Sequence, residues 1–349
     1  MRRERTGGAE VAAAVALSEL YRPQPEAICA AAVRSGSARG ALAEILPGAS
    51  GASPDRLETL ARRGIRALGF GSPDYPSRLR ELEVPPFALY LKGPATAEPD
   101  RSVAIIGTRR ATPYGRRMAG DLASGLARYG VTVVSGLARG IDLAAHRGAL
   151  DAGGITMGVL GCGLDHVAPP SAAPQYLEMA RRGLLVSEFA PETPPAPRNF
   201  PRRNRIIAAL ADAVIVVQAG ARSGTSITVG YALELNRPVF GVPGPVGPEA
   251  SRGVHDLLRQ GAILAAGVSD VIEDMGWGPR AEEARGGHEG AAARLLAALA
   301  DGACTAEELA VAGGLEIGPT LALVSRLELD GMVTDVGGGR FALPARTNA

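Results

Sequence analysis

Val103-Ala-Ile-Ile-Gly-Thr-Arg-Arg110 decides how this chain is read. Four apolar residues bounded by turn formers fit a parallel strand covered on both faces. Gly107 then lets the backbone turn tightly and approach a ligand, and Thr108 with the amides after it can hold an anion at the start of a helix. Arg109 and Arg110 specify the anion further: paired guanidinium groups suit phosphate. The question is whether that phosphate belongs to a small nucleotide or to a polymer.

Working outward, apolar runs recur at Val103–Ile106, Val131–Val134, Ile155–Leu160, Leu184–Val186, Val214–Val217 and Val239–Val242, alternating with stretches of helical period. This alternation predicts an α/β fold, an extended Rossmann-like, doubly wound and mostly parallel sheet over residues 65–275. Phe87-Ala-Leu-Tyr-Leu91 predicts an extra strand leading into it. Ahead of it, alanine-rich helical spacing up to the break at Pro47–Pro54 predicts a small helical module within residues 1–60, of sterile-alpha-motif or helix-hairpin-helix type. Residues 276–290 form a Gly/Glu/Arg-rich linker. Residues 291–345 read helix, helix, helix, hairpin, the order of a winged helix. Thr305-Ala-Glu-Glu308 has capping-box spacing, and Met332–Leu343 folds around a glycine turn.

A chain of 349 residues with 46% hydrophobic content can bury a sizeable core in two or three domains. The formal net charge is only +1, so any nucleic-acid surface must be local. Lys92 is the single lysine and arginine supplies every other cation, a bias that a GC-rich genome would also produce. Cys29, Cys162 and Cys304 are odd in number and widely spaced, against a disulfide framework or a zinc site. With no 18-residue apolar span, the expectation is a soluble, cytoplasmic protein.

In an open parallel sheet, ligands sit beyond the carboxyl ends of the strands. Here those ends carry Gly107-Thr-Arg-Arg110, Ser135-Gly-Leu-Ala-Arg-Gly-Ile-Asp142, Gly161-Cys-Gly-Leu-Asp165 and Gly220-Ala-Arg-Ser-Gly-Thr225. Gly136 and Gly140 suit a phosphate-cradling turn, and Ser223, Gly224 and Thr225 make another glycine-hydroxyl turn opening a helix. Several such turns on one edge carry more weight than any one alone. Neither G-x-x-x-x-G-K-[ST] nor a dinucleotide G-x-G-x-x-G follows any strand, so neither ATP nor NAD is assigned and no cofactor is expected.

A second basic element is Arg198-Asn-Phe-Pro-Arg-Arg-Asn-Arg205. Arg202, Arg203, Asn204 and Arg205 can track phosphates beside Phe200, on which a base can stack. The other reading is a solvated basic loop with Phe200 in the core. The prolines of Pro191–Pro197 are expected to hold the run extended and present it, and the cluster Arg109, Arg110, Arg116, Arg117 favours binding. Catalytic candidates are thin: Cys162 between glycines reads as packing, and His146 as a core or helix-surface residue. His255 would line the same edge or a subunit contact, and no carboxylate pair has acid/base spacing. No catalytic residue and no metal ligand are assigned.

Together these motifs resemble the DNA-processing protein A family (DprA, also called Smf). The resemblance rests on Gly107-Thr-Arg109, Val133–Asp142, Val159–Asp165, Ser187-Glu188 and Asn199-Phe-Pro-Arg-Arg-Asn-Arg-Ile-Ile207, extended by Ser223-Gly-Thr225, Val242-Pro-Gly244 and Ser251-Arg-Gly-Val-His255. It implies a non-enzymatic binder of single-stranded DNA without strong sequence preference. Such a protein shields incoming strands in natural transformation, loads the RecA recombinase and dimerises through its Rossmann-like domain. It also implies Arg109 as the principal phosphate contact, with Gly107, Ser135, Gly136, Arg139 and the Arg202–Arg205 run completing the pocket. The chain departs from the family at Ala168-Pro-Pro-Ser-Ala172, which lacks an aromatic and a cation, and the N-terminal module lacks a glycine-rich hairpin. The candidate recognition helix Gly318–Leu329 holds one arginine, Arg326, beside Glu328 and Asp330, which suits a protein contact better than duplex DNA. Two other readings are a nucleoside-monophosphate phosphoribohydrolase and a winged-helix transcription regulator. The first is opposed by Ala221-Arg-Ser-Gly-Thr-Ser-Ile-Thr228, which has no glutamate three residues after Thr225. The weakly basic recognition helix opposes the second.

Overall fold

Nine strands form one sheet in the computed structural model, in the order β1-β2-β6-β5-β4-β3-β7-β8-β9. The structure describes residues 2–20, 26–221, 223–277, 292, 294–300, 302–329 and 332–344. Residues Met1–Trp277 and Gly278–Ala349 make two separate compact units.

The first unit begins with helices α1 (Arg2–Leu20), α2 (Glu26–Ser35), α3 (Ala38–Ile45) and α4 (Pro54–Arg62) and strands β1 (Ile65–Gly69) and β2 (Ala88–Lys92). The alternation then runs β3 (Ser102–Gly107), α5 (Pro113–Arg128), β4 (Thr132–Ser135), α6 (Ile141–Asp151), β5 (Thr156–Val159), α7 (Ala173–Arg182) and β6 (Leu184–Ser187). It continues through α8 (Asn199–Ala209), β7 (Ala213–Gln218), α9 (Thr225–Glu234), β8 (Val239–Gly241), α10 (Glu249–Arg259), β9 (Ile263–Leu264) and α11 (Val268–Asp274). Strands β3 to β9 pair in parallel, and β2 and β1 add antiparallel at one edge. Every residue of β4, β5, β6, β7 and β8 is buried, as a sheet covered by helices on both faces demands.

The N-terminal helices share their core with the sheet and have none of their own: Ala13, Leu17 and Ala32 belong to the same cluster as Tyr90, Val159 and Leu185. Two polar ties fix them. The Ser18 hydroxyl bonds the buried Tyr90 hydroxyl. The buried Glu10 carboxylate accepts from the Ala38 and Arg39 amides at 2.6 and 3.1 Å, at the start of α3, and from the Gly71 amide at 2.8 Å. An acidic group on free helix amides complements the helix dipole and leaves no buried charge unpartnered.

The second unit contains a helical stretch over residues 294–300 (α12), then β10 (Cys304–Thr305), α13 (Ala306–Gly313), α14 (Ile317–Leu329), β11 (Thr334–Gly337) and β12 (Arg340–Ala342). Helix α13 opens with the expected capping box: the Glu308 amide donates to Thr305 Oγ1 (3.3 Å) and the Thr305 amide to Glu308 Oε2 (2.7 Å). The strands form a three-stranded sheet, β10-β12-β11, the wing of a winged helix. The linker expected at residues 276–290 lies, from residue 278 onward, outside the described residues. Among the described residues no single helix is long and apolar enough to cross a membrane.

Candidate functional site

From β3 the chain winds one way to β6, then returns to place β7 on the other side of β3. Loops leaving β3 and β7 therefore diverge, and a crevice opens between their carboxyl ends. At its root the Thr108 amide donates to the Gln218 carbonyl (2.7 Å). The buried Gln218 side chain accepts from the Thr112 amide at 3.0 Å and donates to Thr112 Oγ1 at 2.9 Å. Gly115 is required here, because a Cβ would lie 2.1 Å from Gln218 Oε1. Held at both ends, residues 108–111 form a loop ahead of α5, which starts only at Pro113 with Thr112 as its cap. Arg109 and Arg110 project from that loop and are exposed.

The turn after β4 packs against this loop. Gly140 has φ +89°, and a Cβ there would lie 2.3 Å from the Thr108 carbonyl oxygen. Leu137, buried, is also left-handed at φ +54°, a conformation that costs a non-glycine residue free energy and is tolerated where the surroundings dictate it. The Asp142 carboxylate organises the turn by accepting from the Gly136 and Ala138 amides at 3.2 and 3.3 Å. Burial pushes its carboxyl up to about 6, against the opposing pull of Arg203 and these amides. Ser135 points inward and donates to the Ile105 carbonyl (2.6 Å), so its hydroxyl is already used.

Residues 199–209 depart from expectation. The run Arg198–Arg205 is not an extended, presented loop; from Asn199 it is the first part of helix α8. Arg203, Ile206, Ile207 and Leu210 recur at i, i+3, i+4 and i+7, so the apolar stripe carries Arg203 inward with it. Arg203 is 3% exposed and donates through Nη1 to the Gly136 carbonyl (2.8 Å) and the Val159 carbonyl, and burial lowers its guanidinium to about 10. Arg205 forms a two-pronged pair with Glu188, both contacts 2.8 Å, with Glu188 wholly buried. Arg202 Nε is 3.3 Å from the same carboxylate. Arg202 and Arg205 thus answer an internal charge that the sequence reading left without a role, and Arg203 ties α8 to the β4 and β5 loops.

Most of the remaining predicted residues converge, while the exposed Arg110 stays outside the cavity they form. Thr108 and Arg109, Phe200 and Asn204 on α8, and Ser223, Gly224 and Thr225 at the start of α9 line one cavity of about 390 Å³, with Gly107 and Arg203 in its wall. Asp142, Ile207, Ile227 and Thr228 also line it and were not anticipated as site residues. Phe200 is half-buried over Gly161, where a Cβ would lie 2.7 Å from the ring, and the Arg109 guanidinium carbon sits 5.4 Å from the ring centroid. Ser223 and Thr225 hydroxyls bond each other at 2.8 Å, and the Thr225 amide donates to Ser223 Oγ at 3.2 Å. An exposed cation, an aromatic face and a hydroxyl-lined helix start suit an anionic ligand that also carries a planar ring. Arg139 and Gly140 lie outside this cavity, in a trough between α5 and α6.

Groups that would do covalent chemistry are withdrawn. Cys162 is buried and its thiol is pushed up to about 11, leaving no thiolate at neutral pH. His146 is wholly buried, pairs Nδ1 with Thr156 Oγ1 at 2.7 Å, and is held neutral by a value near 3 caused first by burial and then by Arg203. His255 Nε2 meets the Gly244 carbonyl at 3.0 Å.

Residues 66–276 match the model of the DNA recombination-mediator protein A family, and residues 279–339 match the DprA winged helix domain. The chain is 40% identical over 299 residues to a DNA processing protein DprA of Mycobacterium tuberculosis, spanning 80% of this chain and 77% of that one. It is 38% identical over 223 residues to DNA processing protein DprA of Bacillus subtilis, spanning 64% and 75%. Among solved structures, DprA from Streptococcus pneumoniae superposes with a TM-score of 0.60 at 30% identity, covering 78% of this chain and 95% of that chain. A Helicobacter pylori DNA processing protein A, whose structure concerns its single-stranded DNA binding mode, superposes with a TM-score of 0.55 at 32% identity, covering 60% and 95%. With its α/β sheet, its crevice and its winged helix in place, the chain belongs to the DNA recombination-mediator protein A family.

Proposed function

We propose that this protein binds single-stranded DNA in the crevice between β3 and β7, without strong sequence preference, shields it and delivers it to the RecA recombinase. One observation carries the reading: Arg109, exposed and clamped at its loop root, lies over Phe200 at a cavity also lined by Ser223, Gly224 and Thr225. A guanidinium beside a ring contacts phosphate and base together, and every base has a face to stack. The single-stranded DNA binding described for the Helicobacter pylori relative supports the same ligand class. The protein acts as a cytoplasmic, non-enzymatic mediator in recombination and natural transformation, in keeping with the buried Cys162 and His146. It works as a homodimer through its Rossmann-like domain, with residues 291–345 serving as a protein-contact module.

Gel shift of poly-dT against duplex of equal nucleotide concentration, with and without purified RecA, tests this. Preferential retention of poly-dT and a further RecA-dependent shift are expected. Equal retention of duplex, or none of either, would refute it.

A further inference from the structure

Beside the cavity, α5 and α6 enclose an open trough of about 630 Å³. Its floor is made of small residues because the helices touch: a Cβ on Gly148 would lie 2.3 Å from the Gly120 carbonyl oxygen. Its rims carry Arg116, Arg117, Arg139 and Arg147 against Asp121 and Asp151, an excess of two positive charges, counted as four minus two. Arg147 and Asp151 face each other at 3.6 Å with side chains 74% and 71% exposed, a pairing that solvent screens and a phosphate can replace. Arg116 spends one Nη1 contact on the Ala111 carbonyl (2.5 Å). Arg117 lies 6.0 Å from the Tyr114 ring centroid. Among the described residues Arg139 has no carboxylate at ion-pair distance, and it is exposed.

Trough and cavity adjoin. Ala138 lines the cavity, and the next two residues, Arg139 and Gly140, line the trough. Gly140 in turn packs on the Thr108–Arg109 peptide, with its Cβ position 2.9 Å from the Arg109 carbonyl carbon. The trough has no aromatic side chain, so nothing there stacks a base.

Resting on the crevice as the single-strand site, we propose that the α5/α6 trough is a second, purely electrostatic track for the same DNA strand, holding phosphates through Arg117, Arg139 and Arg147. The strand is then gripped by base and backbone in the cavity and by backbone alone beyond it. The excess positive charge of the rims and the packing of Gly140 on the Thr108–Arg109 peptide favour the strand held at Arg109 as this occupant.

The test is fluorescence anisotropy with two oligothymidylates, one of about five and one of about twenty nucleotides, over a salt series. In the double variant Arg117→Ala/Arg147→Ala, losing two phosphate contacts should lower the log–log salt slope by about 1.4 for the long strand, equivalent to about 25-fold weaker binding at about 0.1 M salt. Binding of the short strand should not change, and Arg117→Lys/Arg147→Lys should keep most of the long-strand slope. Unchanged long-strand affinity and slope in the alanine variant, while Arg109→Ala weakens both lengths, would overturn the track and leave the cavity standing. If Arg109→Ala spares both lengths, the cavity reading itself fails and the track with it. Loss of binding to polyglutamate with strand binding intact would assign the trough to a protein and overturn the proposal.

Discussion

The Arg109 guanidinium carbon lies 5.4 Å from the centroid of the Phe200 ring, joining the loop after β3 to the first turn of α8. The arginine lies over the ring, and together they offer one polar and one aromatic surface for a nucleotide to engage. The two residues should therefore fail in different ways. Phe200→Ala removes stacking, which is worth about 1–3 kcal/mol per base, and should weaken oligothymidylate binding about 5- to 150-fold while leaving the salt slope intact. Anisotropy over a salt series measures both. A reduced slope in this variant would mean that the ring serves mainly to position a cation.

Arg205 and Glu188 predict the opposite pattern. Glu188 is fully buried, and Arg205→Ala takes away its two 2.8 Å contacts while Arg202 Nε stays at 3.3 Å. An undercompensated buried charge costs about 3 kcal/mol, the lower end of the usual range because Arg202 remains. A lowered urea midpoint with normal DNA affinity per folded molecule is expected. Lost affinity at unchanged stability would return Arg205 to the binding surface.

Asp142 gives the site a pH dependence. Its carboxyl titrates near 6, beside the cavity it lines. Above that value it places a negative charge next to the proposed phosphate site, and below it the charge is gone. DNA affinity should rise as pH falls from about 7.5 to about 5.5, and Asp142→Asn should flatten that profile. An unaltered profile in the variant would place the dependence elsewhere.

The contrast between these arginines shows what the sequence discloses. The apolar runs at Val103–Ile106 and Val214–Val217 announced parallel strands because a strand buried on both faces has little choice of residue. The turns after them announced loops at the carboxyl ends of the strands, and Thr108, Ser223, Gly224 and Thr225 from two of those loops line one cavity. The N-terminal helices were legible as helices, yet not as part of the sheet's core, because the Glu10 and Ser18 ties span long stretches of chain. The basic run was misread because four arginines look like a surface. Its helical period in Arg203, Ile206, Ile207 and Leu210 was the available signal, and Glu188, the buried acid that Arg202 and Arg205 answer, lies fourteen residues before Arg202 with no local mark. Strands β1 and β9 escaped notice because Ile65–Gly69 and Ile263–Leu264 are short and lie at the sheet edges.

His146 predicts an acid-side instability. Its imidazole titrates near 3 in the fold against an ordinary 6.5, so between these values the unfolded chain binds a proton that the folded one refuses. Stability should fall as pH drops below about 6.5, by up to about 1.4 kcal/mol per pH unit from this group. His146→Gln, although less stable at pH 7, should show a shallower acid limb in urea melts at pH 4 to 7. An identical limb would mean that another group sets it.

The central claim is that Arg109 holds a phosphate of single-stranded DNA in the crevice between β3 and β7. The direct measurement is the salt dependence of oligothymidylate binding by Arg109→Ala beside the unaltered protein. Because Arg109 is exposed, the variant should melt normally. Its affinity should drop on every sequence tested, and its log–log salt slope should fall by about 0.7, one phosphate contact on a single strand. Unchanged affinity and slope would contradict the assignment.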